Sequence, residues 1–285
     1  MGIPIVAVTG ADRARGGLVQ DTVMATYKAL HEDGVVILRG LFPSEAIAAL
    51  HAEFTARYGN LDRSNMEAMA GQPPPNPIQQ VGDGRFEIAV RMTGGFGQPG
   101  LFANALLINL LMPILGRATM RLASVTAVTS FPGAKIQHIH RDNPQLFEDV
   151  PHIGPALPHY AITASIPLID IDHRIGPTGF WLGTHRSASH EAPPETMQSV
   201  PLQRGDCVLV DYRTLHAGLP NTSGVVRPIL YLVYQREWFF DDGNHRQRVP
   251  LDISLEAIQA LPEDLRPLML RAHQQAVRVR QHAPA

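Results

Sequence analysis

The densest set of groups capable of chemistry lies in Gln137-His138-Ile139-His140-Arg141-Asp142. In an extended strand, residues two apart share a face, so His140 and Asp142 can aim a ring nitrogen and a carboxylate at one point. His138 lies on the same face, which leaves His138–His140 open as an alternative pair. A second imidazole far downstream, His216, follows the strand-like run Val208-Leu209-Val210-Asp211-Tyr212. Two imidazoles and one carboxylate hold a divalent metal by one face and leave the other positions open, as in non-haem Fe(II) sites. Arg227 stands eleven residues after His216, and Pro228 after it favours an extended backbone. A guanidinium there suits the grip of an organic acid's carboxylate.

A His-x-Asp pair alone is a common accident, and the chain carries 13 histidines. His31, His51, His245, His273 and His282 fall in helix or loop contexts and are expected to be solvated. His152 and His159 occupy a Pro-rich loop.

The ligands need elements to position them. Residues 17–33 carry apolar side chains at helical spacing and end at Gly34. Val35-Val36-Ile37-Leu38 predicts a strand. Ser44 opens a second helix as its N-cap. Residues 60–84 predict a long loop, and 101–116 a further helix. From Leu122 onward, short alternating or β-branched runs at 122–131, 134–140, 161–169, 178–182, 207–211 and 229–236 are separated by Gly, Pro and Asn. That is the rhythm of an antiparallel sandwich or jelly roll. Residues 254–282 return to a helical pattern. The expected organisation is a single domain over 1–285: N-terminal helices over about 1–120, a β-core over about 121–240 and a C-terminal helix over about 254–282. If strand 229–236 neighbours strand 207–216, Arg227 reaches the same end as His216.

Composition bounds the function classes. Hydrophobic content of 45% and charged content of 18% over 285 residues suit a folded protein with an ordinary core. A net charge of −2 offers no field for nucleic acid or anionic lipid. The lone Cys207 sits in a buried-strand pattern and is read as a small core residue. Without disulfides, signal peptide or apolar span, the expected location is the cytoplasm.

Residues 33–240 resemble the phytanoyl-CoA dioxygenase-like family of Fe(II)/2-oxoglutarate oxygenases. The matching pieces are Asp33-Gly34-Val35-Val36-Ile37-Leu38-Arg39-Gly40-Leu41-Phe42, the Gln137–Asp142 segment, Gly176-Pro177-Thr178 through Leu182-Gly183-Thr184-His185, then His216 and Arg227. The third piece departs from the family's pattern at Ile175, Leu182 and Thr184, in a loop. The resemblance implies a mainly β fold with flanking helices around a double-stranded β-helix, a jelly-roll or cupin-like core. It implies His140, Asp142 and His216 as ligands of Fe(II), and Arg227 as partner of the far carboxylate of the cosubstrate 2-oxoglutarate. It further implies cosubstrate contacts from Gln137 and from Thr163, with Ser165 on the same face as the alternative. Strand parity alone points Gln137 away from His140. Asp170, His173 and Asp211 are candidates for orienting the ligands.

The implied activity is hydroxylation, or a related oxidation, of a small molecule with O2. Asp142 stands where halogenating relatives carry a small residue, so halogenation is disfavoured. Loop 143–160 follows the ligand pair and is expected to overhang the site, with 60–84 and 85–96 as the other wall. Phe86, Met92, Phe96 and Phe147 there suggest a mostly apolar substrate, such as a secondary metabolite. No basic patch for a coenzyme A tail stands out, and a monomer or homodimer is expected. Two rivals remain: a jelly-roll protein that binds a small molecule without turnover, and a cupin-like metalloenzyme without 2-oxoglutarate.

Overall fold

The computed structural model describes residues 2–59, 62–73, 76–116, 119–147, 149–241, 249, 251, 253–271 and 274. Eight strands form one sheet in the order β1-β2-β8-β6-β10-β5-β4-β3. They are β1 (Ile5–Ala7), β2 (Val35–Arg39), β3 (Ile78–Gly82), β4 (Arg85–Ala89), β5 (Met120–Ser130), β6 (Ala161–Pro167), β8 (Cys207–Asp211) and β10 (Arg227–Arg236). Among the described strands of this sheet only the β1–β2 pair is parallel. A second sheet pairs β7 (Thr178–Phe180) with β9 (His216–Gly218). This mainly β architecture with flanking helices agrees with the expected fold class.

Side-chain alternation divides each central strand between two environments. On β10, Leu230, Leu232 and Tyr234 enter the large apolar core, and on β6 Ile162, Ala164 and Ile166 do the same. That core also takes Leu30 from helix α2 (Gln20–Asp33), Ile47, Leu50 and Phe54 from α3 (Ser44–Tyr58), and most of α6 (Ala105–Leu115). The intervening residues Arg227, Tyr231 and Val233 of β10 and Thr163 of β6 line a cavity instead. One face of the sheet is thus sealed by helices and the other carries the polar groups.

Several elements differ from the sequence reading. Strands β1 to β4 enter the large sheet, so the β-core is not confined to residues after 120. The expected loop 60–84 contains helix α4 (Arg63–Ala70) and strand β3. Residues 134–140 form no ladder beyond an isolated bridge between His140 and His216. The run 207–216 divides into β8 in the large sheet and the start of β9 in the small one, and β6 separates β8 from β10. A short helix spans Leu255–Gln259; most of the expected C-terminal helix beyond residue 271 lies outside the described residues, as do His245, His273 and His282. Cys207 is fully buried, as its pattern suggested. Among the described residues, no helix is long and apolar enough to cross a membrane.

Gly34 ties the helical layer to the site. It caps α2 at φ 75°, and its carbonyl accepts from Asp211 N (2.9 Å) and Thr214 Oγ1 (3.0 Å). A Cβ there would come within 2.5 Å of His185 Nδ1 and Thr214 Oγ1, so close approach and positive φ both require glycine.

Candidate active site

The two sheets enclose a cavity of about 540 Å³ whose walls include His140, Asp142, Thr163, His216, Arg227 and Tyr231. The potential ligand atoms of His140, Asp142 and His216 all lie within 4.8 Å of one another. His216 Nε2 is 3.4 Å from Asp142 Oδ1. Adjacent ligands of an octahedral ion with ~2.1 Å bonds sit roughly 3 Å apart, so the spacing fits one ion.

Backbone pairing creates the cluster. His140 and His216 exchange both bridge hydrogen bonds (3.1 and 2.9 Å), and Asp142 N donates to Tyr212 O (3.1 Å). His140 Nδ1–H donates to His138 O (2.9 Å) and His216 Nδ1–H to Thr214 O (3.0 Å). Those bonds fix the tautomer and leave each Nε2 lone pair for a metal. Thr163 Oγ1 donates to Asp142 Oδ2 (3.0 Å) and so orients the carboxylate.

Burial and mutual charge set the protonation of the three groups. Burial, with the facing His216 next, takes His140 down to about 4, which keeps the imidazole in its neutral, ligating form. Burial pushes the Asp142 carboxyl up, but His216, His140 and Thr163 outweigh it and hold it below its ordinary value. For His216 burial pulls downward, and the Asp142 carboxylate reverses the direction and raises it.

At the other end of the cavity, Arg227 is 1% exposed. Its Nη1 donates to Gly176 O, while its Nε is buried without a partner among the described residues. Arg85 lies one strand away: Arg85 and Arg227 both pair with Ser130, from opposite sides. It is fully buried, donates to Lys135 O (3.2 Å) and Leu219 O, and leaves Nη1 unpartnered. Burial, followed by the charge of Arg227, lowers Arg85 to about 9. Arg227 lines the cavity with an unused donor, and Arg85 adds a second buried positive charge beside it, so this end suits an anion.

A family profile described as Phytanoyl-CoA dioxygenase (PhyH) matches residues 30–229. The chain belongs to that family. A curated relative, Dioxygenase hkm4 of Aspergillus hancockii, is 25% identical over 221 residues, covering 74% of this chain and 70% of that protein. Among solved structures, HygX from Streptomyces hygroscopicus with nickel, 2-oxoglutarate and hygromycin B superposes at TM-score 0.56, with 15% identity, over 79% of this chain and 90% of that one. The epimerase SnoN in complex with Fe3+, alpha ketoglutarate and nogalamycin RO gives TM-score 0.55 and 17% identity over 76% and 85%. Both likenesses bear on the fold, and they agree with the jelly-roll core expected of the family.

The remaining sequence-stated residues find definite places. Gln137 lines the cavity despite its strand parity: Gly218 N donates to its Oε1 (2.9 Å) and its Nε2 donates to Val81 O (2.8 Å). His138 also lines the cavity, but the metal-capable cluster comprises His140, Asp142 and His216 without it. Two of the candidates for orienting the ligands are bonded elsewhere. Asp170 accepts from Arg204 N (2.8 Å), and Asp211 binds Arg213 and His159; backbone carbonyls and Thr163 take that role. Among the described residues, none of 143–160 lines the cavity. Phe86, Met92 and Phe96 pack in the large core and Phe147 is exposed, so the residues offered as apolar walls form none.

Sequence reasoning missed Arg85, Glu87 and Tyr231. Arg85 and Glu87 alternate with core residues Phe86 and Ile88. That period of two, with charges on one face, was the available signal.

Proposed function

We propose that this chain is an Fe(II)- and 2-oxoglutarate-dependent oxygenase acting on a small molecule. One observation carries the reading: two imidazoles and a carboxylate converge within ion-binding range in a cavity that also holds Arg227. His140 Nε2, His216 Nε2 and an Asp142 oxygen would hold the iron, and Arg227 would hold the far carboxylate of the oxo acid. Bound iron, with the oxo acid and O2, supplies oxidising power while the acid is converted to succinate and carbon dioxide. The chain's own part is geometric. Thr163 aims the Asp142 carboxylate, the His138 and Thr214 carbonyls aim the imidazoles, and the buried Arg227 guanidinium seats the acid away from bulk water.

The substrate reading moves away from a mostly apolar molecule. Glu87, Gln80, Ser124 and Thr126 line the cavity beside Val128 and Val233, which suits a substrate with its own hydrogen-bonding groups. The natural-product ligands of HygX and SnoN support a role in secondary metabolism. Hydroxylation or a related oxidation is favoured over halogenation, because Asp142 retains the carboxylate ligand.

The test is anaerobic addition of Fe(II) and 2-oxoglutarate. A visible charge-transfer band is expected with the native protein and not with His140→Ala. Arg227→Ala should weaken 2-oxoglutarate binding and leave iron binding largely intact. Iron-loaded, folded protein without the band would favour a binding protein or a metalloenzyme without an oxo acid.

A further inference from the structure

Residues 155–159 belong to the loop expected to overhang the active site, and they wall a second cavity instead, of about 570 Å³. Helix α2 contributes Tyr27 and Leu30 to it, and α6 contributes Ile114. With Pro155, Leu157 and Pro158 these make an apolar wall. The other side is basic: His31, His159, His185, Arg186 and Arg213 line it, and among the described residues no carboxylate does. A mostly apolar space of this size with a few convergent polar groups has the form of a small-molecule site.

Two of the basic groups have capacity left. His159 Nδ1 is bonded to Asp211 Oδ2 (2.5 Å), which leaves its Nε2 without a partner among the described residues. Arg186 is exposed and makes no ion pair among them; its Nη2 donates to Glu32 O at 3.4 Å. Arg213, by contrast, is committed to Asp211 and to the carbonyls of Gly154 (3.0 Å) and Leu157 (2.8 Å). A charge at the rim and an open ring nitrogen favour an anion. The apolar wall favours a hydrocarbon body attached to it.

The same cavity is joined to the metal ligands by one turn. Residues Asp211 to Thr214 close it, with Thr214 N donating to Asp211 O (2.9 Å). Through its side chains the turn holds His159 and the loop carbonyls of the second cavity. Through its backbone it holds the active site: Tyr212 O accepts from Asp142 N (3.1 Å), Arg213 O from Arg141 Nε (2.7 Å) and Thr214 O from His216 Nδ1 (3.0 Å). Tyr212 lines the first cavity and Arg213 the second. A ligand that braces His159 and the 155–159 loop therefore steadies the carbonyls on which Asp142 and His216 rest.

We propose that the second cavity binds an apolar organic acid, its carboxylate held by His159 and Arg186, and that this ligand strengthens metal binding through the turn at 211–214. The site stands apart from the metal ligands; only the coupling rests on the oxygenase reading above.

The test is calorimetric titration of metal-free protein with octanoate, 1-octanol and acetate, followed by anaerobic Fe(II) titration with and without octanoate. One octanoate per chain should bind, at least about 10-fold tighter than 1-octanol, which lacks the charge, or acetate, which lacks the chain. Arg186→Glu, at an exposed position, should weaken octanoate about 3- to 10-fold. Ala156→Trp, also exposed and on the cavity wall, should block it. Both variants should melt near the native temperature. Octanoate should tighten Fe(II) binding about 5-fold or more in native protein and not in Ala156→Trp, and iron should tighten octanoate by the same factor, as linkage requires. Octanoate that binds no better than 1-octanol, binds both variants as it binds native protein, or is displaced by 2-oxoglutarate overturns the site. Fe(II) affinity that octanoate changes by less than about 2-fold overturns the coupling. If no iron binds in either condition, the oxygenase reading falls with the coupling, and the octanoate titration still decides the site.

Discussion

Thr163 separates two roles that a single substitution can tell apart. The family resemblance implies a cosubstrate contact, whereas the structure directs its hydroxyl to Asp142 Oδ2 at 3.0 Å. Thr163→Val keeps the branched shape and removes the donor. Thr163 is 4% exposed, so water will replace that donor poorly. A hydrogen bond to a charged group contributes about 1.5–3 kcal/mol, which corresponds to roughly 10- to 100-fold at about 1.4 kcal/mol per decade. Loss of partners that orient metal ligands typically costs metal affinity on the order of 10–100-fold. Thr163→Val should therefore weaken Fe(II) binding by about that factor, measured anaerobically against a competing chelator, while Thr163→Ser stays near native. Circular dichroism and melting temperature establish that the variants fold. Iron affinity within about 3-fold of native in Thr163→Val, accompanied by loss of 2-oxoglutarate affinity, would refute the reasoning and restore the cosubstrate role.

Three further outcomes follow from the same geometry. Burial holds His185 down to about 4, against an ordinary 6.5; the unfolded chain then binds the extra proton first, so this group alone should contribute a loss of about 3 kcal/mol between pH 6.5 and 4, and thermal melts of His185→Gln should show a loss shallower by that contribution. Asp211 receives Arg213 Nε (2.9 Å) and Nη2 (2.8 Å) and bonds His159 Nδ1 (2.5 Å); Asp211→Asn leaves a buried guanidinium unpaired and should cost about 3–5 kcal/mol by urea titration. A Cβ at Gly218 would come within 2.5 Å of Gln137 Oε1 and 2.9 Å of Arg85 Nη1, so calorimetry on Gly218→Ala should show weaker 2-oxoglutarate binding with iron affinity retained.

The part of the site written locally was legible in the sequence. His140 and Asp142 share a face because extended chain alternates, and that needed no knowledge of the rest of the fold. His216 and Arg227 were reached through the family's motif order; the adjacency of strands 207–216 and 229–236 offered for them is not the one observed, since β6 intervenes. Arg85 is brought to Arg227 only because β4 and β10 flank β5 at Ser130, a long-range pairing with no local signature. β3 was hidden for a different reason. It is an edge strand reading Ile78-Gln79-Gln80-Val81-Gly82, with one neighbour and little apolar alternation. The aromatic residues of 86–96 misled because a strand has two faces: Phe86 packs in the core and its neighbour Glu87 lines the cavity.

The central claim is that three side chains from two sequence regions hold one ion. X-ray absorption on Fe(II)-loaded protein, with metal content measured in parallel for His140→Ala, Asp142→Ala, His216→Ala and His138→Ala, tests it most directly. The geometry predicts one iron per chain with two imidazole nitrogens and carboxylate oxygen in its shell, with iron lost in the first three variants and kept in His138→Ala. Iron retained by His216→Ala and lost from His138→Ala would contradict it.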